Sequence, residues 1–134
     1  MKILVCNVGS TSLKYRLFDL SSGEQTLAEG RMERVGTQVG AWTHKDAGAE
    51  AVKQTLPIPD YATGIQLMQA ALLTRALERM EALDCVAFKV VHAKDVTGVQ
   101  LLDETVLSAM SAFNTVAPSH NPPYIFAIRQ FQQA

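Results

Sequence analysis

The chain has 134 residues, and its 12 basic against 13 acidic side chains leave a formal net charge of −1. That length fits one domain, and 48% hydrophobic residues with 19% charged supply a real core, which excludes a disordered chain. The near-neutral balance offers no electrostatic footprint for a nucleic-acid backbone or an anionic membrane.

Lys2 to Val8 is a short, almost continuously apolar run, as expected of a strand covered on both faces. Gly9-Ser10-Thr11 supplies turn residues. From Ser12 to Leu20 the pattern alternates, with Leu13, Tyr15 and Leu17 on one side and Lys14, Arg16 and Phe18 on the other. The two runs read as a β-hairpin. After the turn at Ser21-Ser22-Gly23-Glu24, Thr26 to Val35 reads as a third strand. Between Gly36 and Pro59, glycines, the lone Trp42 and two prolines sit among polar residues, and the pattern predicts mostly irregular structure.

Ile65, Met68, Leu72, Ala76, Met80 and Leu83 recur at helical spacing. Asp60 or Thr63 can cap this helix, and Thr63 with Gln66 has capping-box spacing. Cys85 to His92 reads as another buried strand, so strand, helix and strand form a crossover unit within a mixed sheet. Val99 to Leu102 reads as a short strand, and Asp103 as the cap of a helix carrying Val106, Leu107, Met110 and Phe113. Asn121-Pro122-Pro123 opens a last helix running nearly to Ala134.

Cys6 and Cys85 lie in apolar runs without CxxC or Cys/His spacing, so both read as buried free thiols rather than a zinc site or a disulfide framework. No apolar run reaches the ~18 residues that span a bilayer, and the start lacks the pattern of a secretory signal. The expected compartment is the cytoplasm.

Three polar clusters can carry chemistry. In Asn7-Val8-Gly9-Ser10-Thr11-Ser12-Leu13-Lys14, small residues at a turn let backbone N–H groups approach an anion, hydroxyls can donate to phosphoryl oxygens, and Lys14 adds a cation. Asn7 offers an amide oxygen to a hydrated magnesium ion. The same stretch also fits an ordinary hairpin with a turn-capping asparagine, since it lacks the Walker glycine spacing. In the second cluster, Lys89, His92, Lys94 and Asp95, the charge of Lys89 interrupts an apolar strand. Lys89 needs an anionic partner or solvent. With Val91 on the same face it would suit a small carboxylate with an alkyl tail; a lysine reaching solvent from a half-exposed strand is equally compatible. The third is His120, which precedes a capped helix N-terminus where negative charge is favoured. It can donate to a phosphoryl oxygen or serve as a turn histidine.

All three clusters resemble one family. Met1 to Asp19 closely resembles the N-terminus of acetate kinases, Phe88-Lys89-Val90-Val91-His92 resembles their His-Arg-Val-Val-His segment, and Val116-Ala117-Pro118-Ser119-His120-Asn121-Pro122 resembles their Leu-Ala-Pro-Leu-His-Asn-Pro segment. The resemblance implies an α/β, ribonuclease-H-like mixed sheet with strand order three-two-one-four and flanking helices, the incomplete N-terminal lobe of the acetate kinase fold. It also implies ATP- and magnesium-dependent phosphoryl transfer involving acetate or propionate. By position, Asn7 would be the magnesium-side ligand, Ser10 and Ser12 part of the phosphate-binding hairpin, and Lys14 an ATP contact. Lys89 would bind the carboxylate, Val91 and Ser119 would lie at the alkyl pocket, and His120 near the transferred phosphoryl group.

Departures from the family pattern accompany these matches. Lys89 replaces an arginine, exchanging a bidentate fork for a point charge; Phe88 replaces a histidine, Ala93-Lys94 a glycine pair, and Ser119 a leucine. Because family enzymes are much longer, the chain is expected to be inactive alone, the N-terminal part of a carboxylate kinase or else a non-catalytic relative that binds phosphate or nucleotide or self-associates. An apolar edge along residues 85–92 would favour a homodimer.

Overall fold

A computed structural model describes residues 1–89, 98–112, 114 and 121–133 of the chain. Six strands form one sheet in the order β5-β4-β3-β2-β1-β6, comprising β1 (Lys2–Val8), β2 (Ser12–Asp19), β3 (Gln25–Glu33), β4 (Thr37–Asp46), β5 (Val52–Ile58) and β6 (Cys85–Phe88). The five strands from β5 to β1 are an antiparallel meander, and β6 joins β1 in parallel. The sheet is therefore mixed, with the expected three-two-one-four order at its centre and β6 in the fourth place. Helices α1 (Tyr61–Arg75), α2 (Glu104–Ser111) and α3 (Asn121–Gln132) complete the described fold.

The period-2 pattern decides which face is covered. Leu4, Cys6 and Val8 of β1 and Leu13, Tyr15 and Leu17 of β2 are buried with Met32 of β3, and they share a core with Ile65, Met68 and Leu72 of α1 and Tyr124, Ala127 and Ile128 of α3. The other face carries Val5, Asn7, Lys14, Arg16 and Arg31, all exposed except where the sheet itself gives partial shelter. β1 is accordingly covered on one face among the described residues, not on both as its apolar run predicted.

The parallel pairing of β6 follows from α1. The Tyr61 hydroxyl at its start touches the Gly9 carbonyl at the C-terminal end of β1, and after the helix the chain returns to the other end of the strand, where Asp84 N–H donates to the Lys2 carbonyl (3.0 Å) and Lys2 N–H to Asp84 Oδ2 (2.7 Å). A 15-residue helix is about 22 Å long and a seven-residue strand about 23 Å. The helix thus retraces β1, and Cys85 enters opposite Ile3.

Several expectations are corrected. Residues 36–59 are not irregular but contain β4 and β5. β5 is largely exposed, so it carries no apolar alternation, and its Pro57 is tolerated because the strand lies at the sheet edge. Gly40 is needed where β4 crosses Ile58: an added Cβ would lie 2.7 Å from the Ile58 side chain. The helix stripe ends early, because α1 stops at Arg75 and Met80 falls in a 3-10 turn (Met80–Ala82). There the Ala76 and Leu77 N–H groups share the Leu72 carbonyl, which turns the chain while keeping Leu77 in the core. The cap is Asp60, accepting from Thr63 N–H at 2.7 Å, so the Thr63/Gln66 capping box does not form. Asp103 does cap α2, accepting from Val106 N–H at 3.0 Å.

Val99 to Leu102 is not a strand; Val99 and Leu101 are exposed. β6 is four residues long and only half-buried, because it lies at the edge of the described sheet. Cys6 and Cys85 are free thiols, but only Cys6 is buried; Cys85 is exposed at the start of that edge strand. Phe113 and the remainder of the predicted strand beyond Lys89 lie outside the described residues. No described helix is long and apolar enough to cross a membrane.

Candidate functional site

The β1–β2 hairpin holds the first cluster. Gly9 N–H donates to the Ser12 carbonyl at 2.8 Å, closing one side of the turn. On the other side a side chain reaches in: the Tyr61 hydroxyl donates to the Gly9 carbonyl. The amides of Ser10 and Thr11 at the exposed tip have no protein partner among the described residues. Two adjacent N–H donors flanked by the Ser10, Thr11 and Ser12 hydroxyls can receive an anion such as a phosphoryl group.

Asn7 is held in the same manner from α3. The Tyr124 hydroxyl donates to Asn7 Oδ1 at 2.8 Å. An amide oxygen has two lone pairs, so Asn7 keeps one acceptor site free. That fits a water of a hydrated magnesium ion, which usually takes few direct protein ligands. Burial pushes both phenols above their ordinary pKa, keeping them protonated and able to donate to Gly9 and Asn7 at neutral pH.

Register aligns charge beside Asn7. Asn7 pairs with Lys14, and Lys14 with Arg31, on the open face of the sheet. Arg16 is paired with Glu29 at 2.9 Å, and Arg31 contacts Glu33. Lys14 has no ion-pair partner among the described residues and faces a shallow hollow of about 420 Å³ with Asn7, Arg16 and Arg31. Lys89 follows β6 directly, its N–H donating to the Cys6 carbonyl at 3.4 Å, and its side chain is exposed. Of the two outcomes its sequence context allowed, solvent is the one observed.

Asn7, Ser10, Ser12 and Lys14 are thus brought together at one end of the sheet, with Lys89 on the strand adjoining β1. Val91, His92, Lys94, Asp95, Ser119 and His120 lie outside the described residues. Tyr61 and Tyr124 are the residues the sequence reading missed. Neither lies in a motif of its own, and only the fold shows that their hydroxyls end at the hairpin.

Known proteins share this sequence and this fold. Residues 2–134 match the family model described as the Acetokinase family. The acetate kinase of Clostridium novyi is 39% identical over 132 residues, covering 96% of this chain and 32% of the relative. That of Natranaerobius thermophilus is 34% identical over 132 residues, covering 96% and 33%. Among solved structures, a propionate kinase from Francisella tularensis superposes with a TM-score of 0.84 at 26% identity, over 98% of this chain and 33% of the other. Porphyromonas gingivalis acetate kinase superposes at 0.87 and 23% identity, over 98% and 34%, which shows the shared fold. The chain spans about a third of the length of the relatives it matches. With its hairpin sequence, sheet order and near-complete match to the family model, the chain belongs to the acetokinase family.

Proposed function

We propose that this chain supplies the phosphate-binding side of ATP-dependent phosphoryl transfer to a short-chain carboxylate such as acetate or propionate, and that it does not catalyse transfer alone. The observation that carries this reading is the hairpin clamped by Tyr61 and Tyr124, with the Ser10 and Thr11 amides, Asn7 and Lys14, unpaired among the described residues, at one end of the sheet. Magnesium, when bound, would offset phosphate charge. Asn7 would hold it through a water, the hairpin amides with Ser10 and Ser12 would orient phosphoryl oxygens, and Lys14 would neutralise charge. Lys89 would attract the carboxylate as a point charge, not grip it as a fork. Roles for Val91 and Ser119 at the alkyl pocket and for His120 at the phosphoryl group rest on the sequence match. Phosphoryl transfer needs several converging positioning and neutralising groups, and a cradle alone provides binding without turnover.

Calorimetric titration with magnesium-ATP tests binding, and trapping of acyl phosphate in the presence of ATP, magnesium and acetate or propionate tests catalysis. Saturable heat that disappears in Lys14→Ala, with no acyl phosphate above background, is the expected result. Turnover at ordinary enzyme rates would overturn the claim of inactivity, and absence of saturable heat would overturn phosphate binding. The position of β6 at the edge of the described sheet further supports self-association, and we place the chain in the cytoplasm. A monomer by light scattering across micromolar concentrations would remove the homodimer from this reading.

A further inference from the structure

On the opposite face of the sheet from Lys14, the outer strands β4 and β5 diverge from α1 and leave a cavity of about 540 Å³, a size that holds small organic ligands. Its helical wall is Leu67, Ala70, Ala71 and Thr74, spaced i, i+3, i+4 and i+7, and the two alanines create the space. The sheet wall is Trp42, His44 and Asp46, with Glu50 and Arg75 at the rim.

A directional hydrogen-bond chain underlies that sheet wall. Trp42 Nε1–H donates to the Tyr15 hydroxyl at 3.1 Å, and that hydroxyl lies 2.8 Å from His44 Nδ1. Indole nitrogen can only donate. The Tyr15 oxygen is therefore already an acceptor, and its own proton is satisfied only if Nδ1 of His44 accepts it. Nε2 stands 3.4 Å from Asp46 Oδ1, too far for a good bond, and both atoms are buried without a hydrogen-bond partner among the described residues.

The ionisable lining sets two carboxylates, Asp46 and Glu50, against the Arg75 guanidinium and His44. The Asp46 side chain is only 16% exposed, and a carboxylate so sheltered gains from a group that donates to it. Arg75 forms no ion pair with Asp46 or Glu50. The carbonyl end of α1 at Thr74 and Arg75 adds partial negative charge to the same cavity. We propose that this cavity is a binding site for a small organic cation, a protonated amine carrying a compact apolar or aromatic body. The ammonium group pairs with Asp46 and Glu50, and the body packs against Trp42, Leu67 and Ala71, with the indole face favouring the cation.

Trp42 is the single tryptophan of the chain, so its emission reports this cavity. Titration of the full chain with phenethylamine, excited where only indole absorbs, is expected to give a saturable change in emission. The neutral benzyl alcohol and the anionic 3-phenylpropionate are expected to bind at least roughly tenfold more weakly. Asp46→Asn should weaken phenethylamine by roughly tenfold or more, and Glu50→Gln, at the exposed rim, by a smaller factor. Ala70→Leu, which fills the space from the helix surface and leaves both carboxylates intact, should abolish the response with an unchanged circular dichroism spectrum. This keeps the test informative if Asp46→Asn fails to fold. Equal affinity for the three compounds, preference for the anion, or no saturable change with phenethylamine would each overturn the proposal.

Discussion

The hydroxyl of Tyr124 donates to Asn7 Oδ1 at 2.8 Å, joining the last described helix to the end of the first strand across 117 positions of sequence. One phenol therefore holds the Asn7 amide in a single orientation, so little rotamer entropy remains to be lost when a ligand arrives. Tyr124→Phe keeps the ring in the core but removes the donor to the Asn7 amide oxygen, which water can still reach. A loss of about 1 kcal/mol is expected in urea unfolding. Magnesium-ATP affinity, where it is measurable, should fall as well. A variant of unchanged stability and affinity would show that Asn7 needs no such support.

Tyr61 acts on the turn rather than on the ligand-facing amide. Its hydroxyl donates to the Gly9 carbonyl, at a site already part-exposed to water. Tyr61→Phe should cost about 1 kcal/mol, since water can replace the lost partner. Hydrogen exchange separates the local effect from the global one. The Gly9 amide, whose bond to the Ser12 carbonyl closes the turn, should exchange faster, beyond what the change in overall stability accounts for, whereas interior amides of α1 should follow overall stability alone.

Gly30 marks the place where β3 passes under Tyr15. A Cβ added there would lie 2.3 Å from Tyr15 Cζ and Oη and 2.8 Å from the Thr43 carbonyl oxygen. The carbonyl belongs to the neighbouring strand and cannot yield without breaking the ladder. Gly30→Ala should therefore destabilise by about 2–3 kcal/mol, at the upper part of the overpacking range. It should also shift Trp42 emission, because displacing Tyr15 breaks the bond from the indole. Wild-type stability and an unaltered spectrum would contradict this packing.

Alkaline pH tests the core directly. Burial pushes the Cys6 thiol from 9.0 up to about 12. Burial likewise raises Tyr15 from 10.0 to about 12, with the Trp42 N–H opposing and the charges of Asp46 and Cys6 adding to it. Between these values the native state holds protons that the unfolded chain releases, so unfolding becomes easier as pH rises. Stability is complete below about pH 9 and should fall by a few kcal/mol as pH approaches 12. Urea midpoints measured at pH 8 and again at pH 10.5 should decrease, and Cys6→Ala should flatten the early part of the slope. A flat profile would mean that these groups are not buried.

Much of the fold was legible because its signals are local. The alternation of Leu13, Tyr15 and Leu17 against Lys14, Arg16 and Phe18 assigned β2 and its faces correctly. The cap at Asp103 and the prolines opening α3 marked those helices. The family motif at Asn7 to Lys14 located the hairpin. β4 and β5 were missed because edge strands with exposed side chains carry no apolar period, and their identity depends on pairing with β3 and with each other. The end of α1 was missed because Met80 and Leu83 still bury part of their surface after the helix has stopped.

By itself the sequence determined the family, the central strand order and the cluster of small polar residues at the first turn, since period, capping and motif all act over a few residues. Only the tertiary structure decided what holds that cluster and what lies behind it. The clamp on Gly9 and Asn7 comes from tyrosines 52 and 117 positions away. The cavity at Asp46 exists because a helix with alanines on one face crosses two strands the sequence did not announce. Such contacts join segments whose side chains are individually unremarkable; their chemistry arises from burial and geometry that no local pattern encodes.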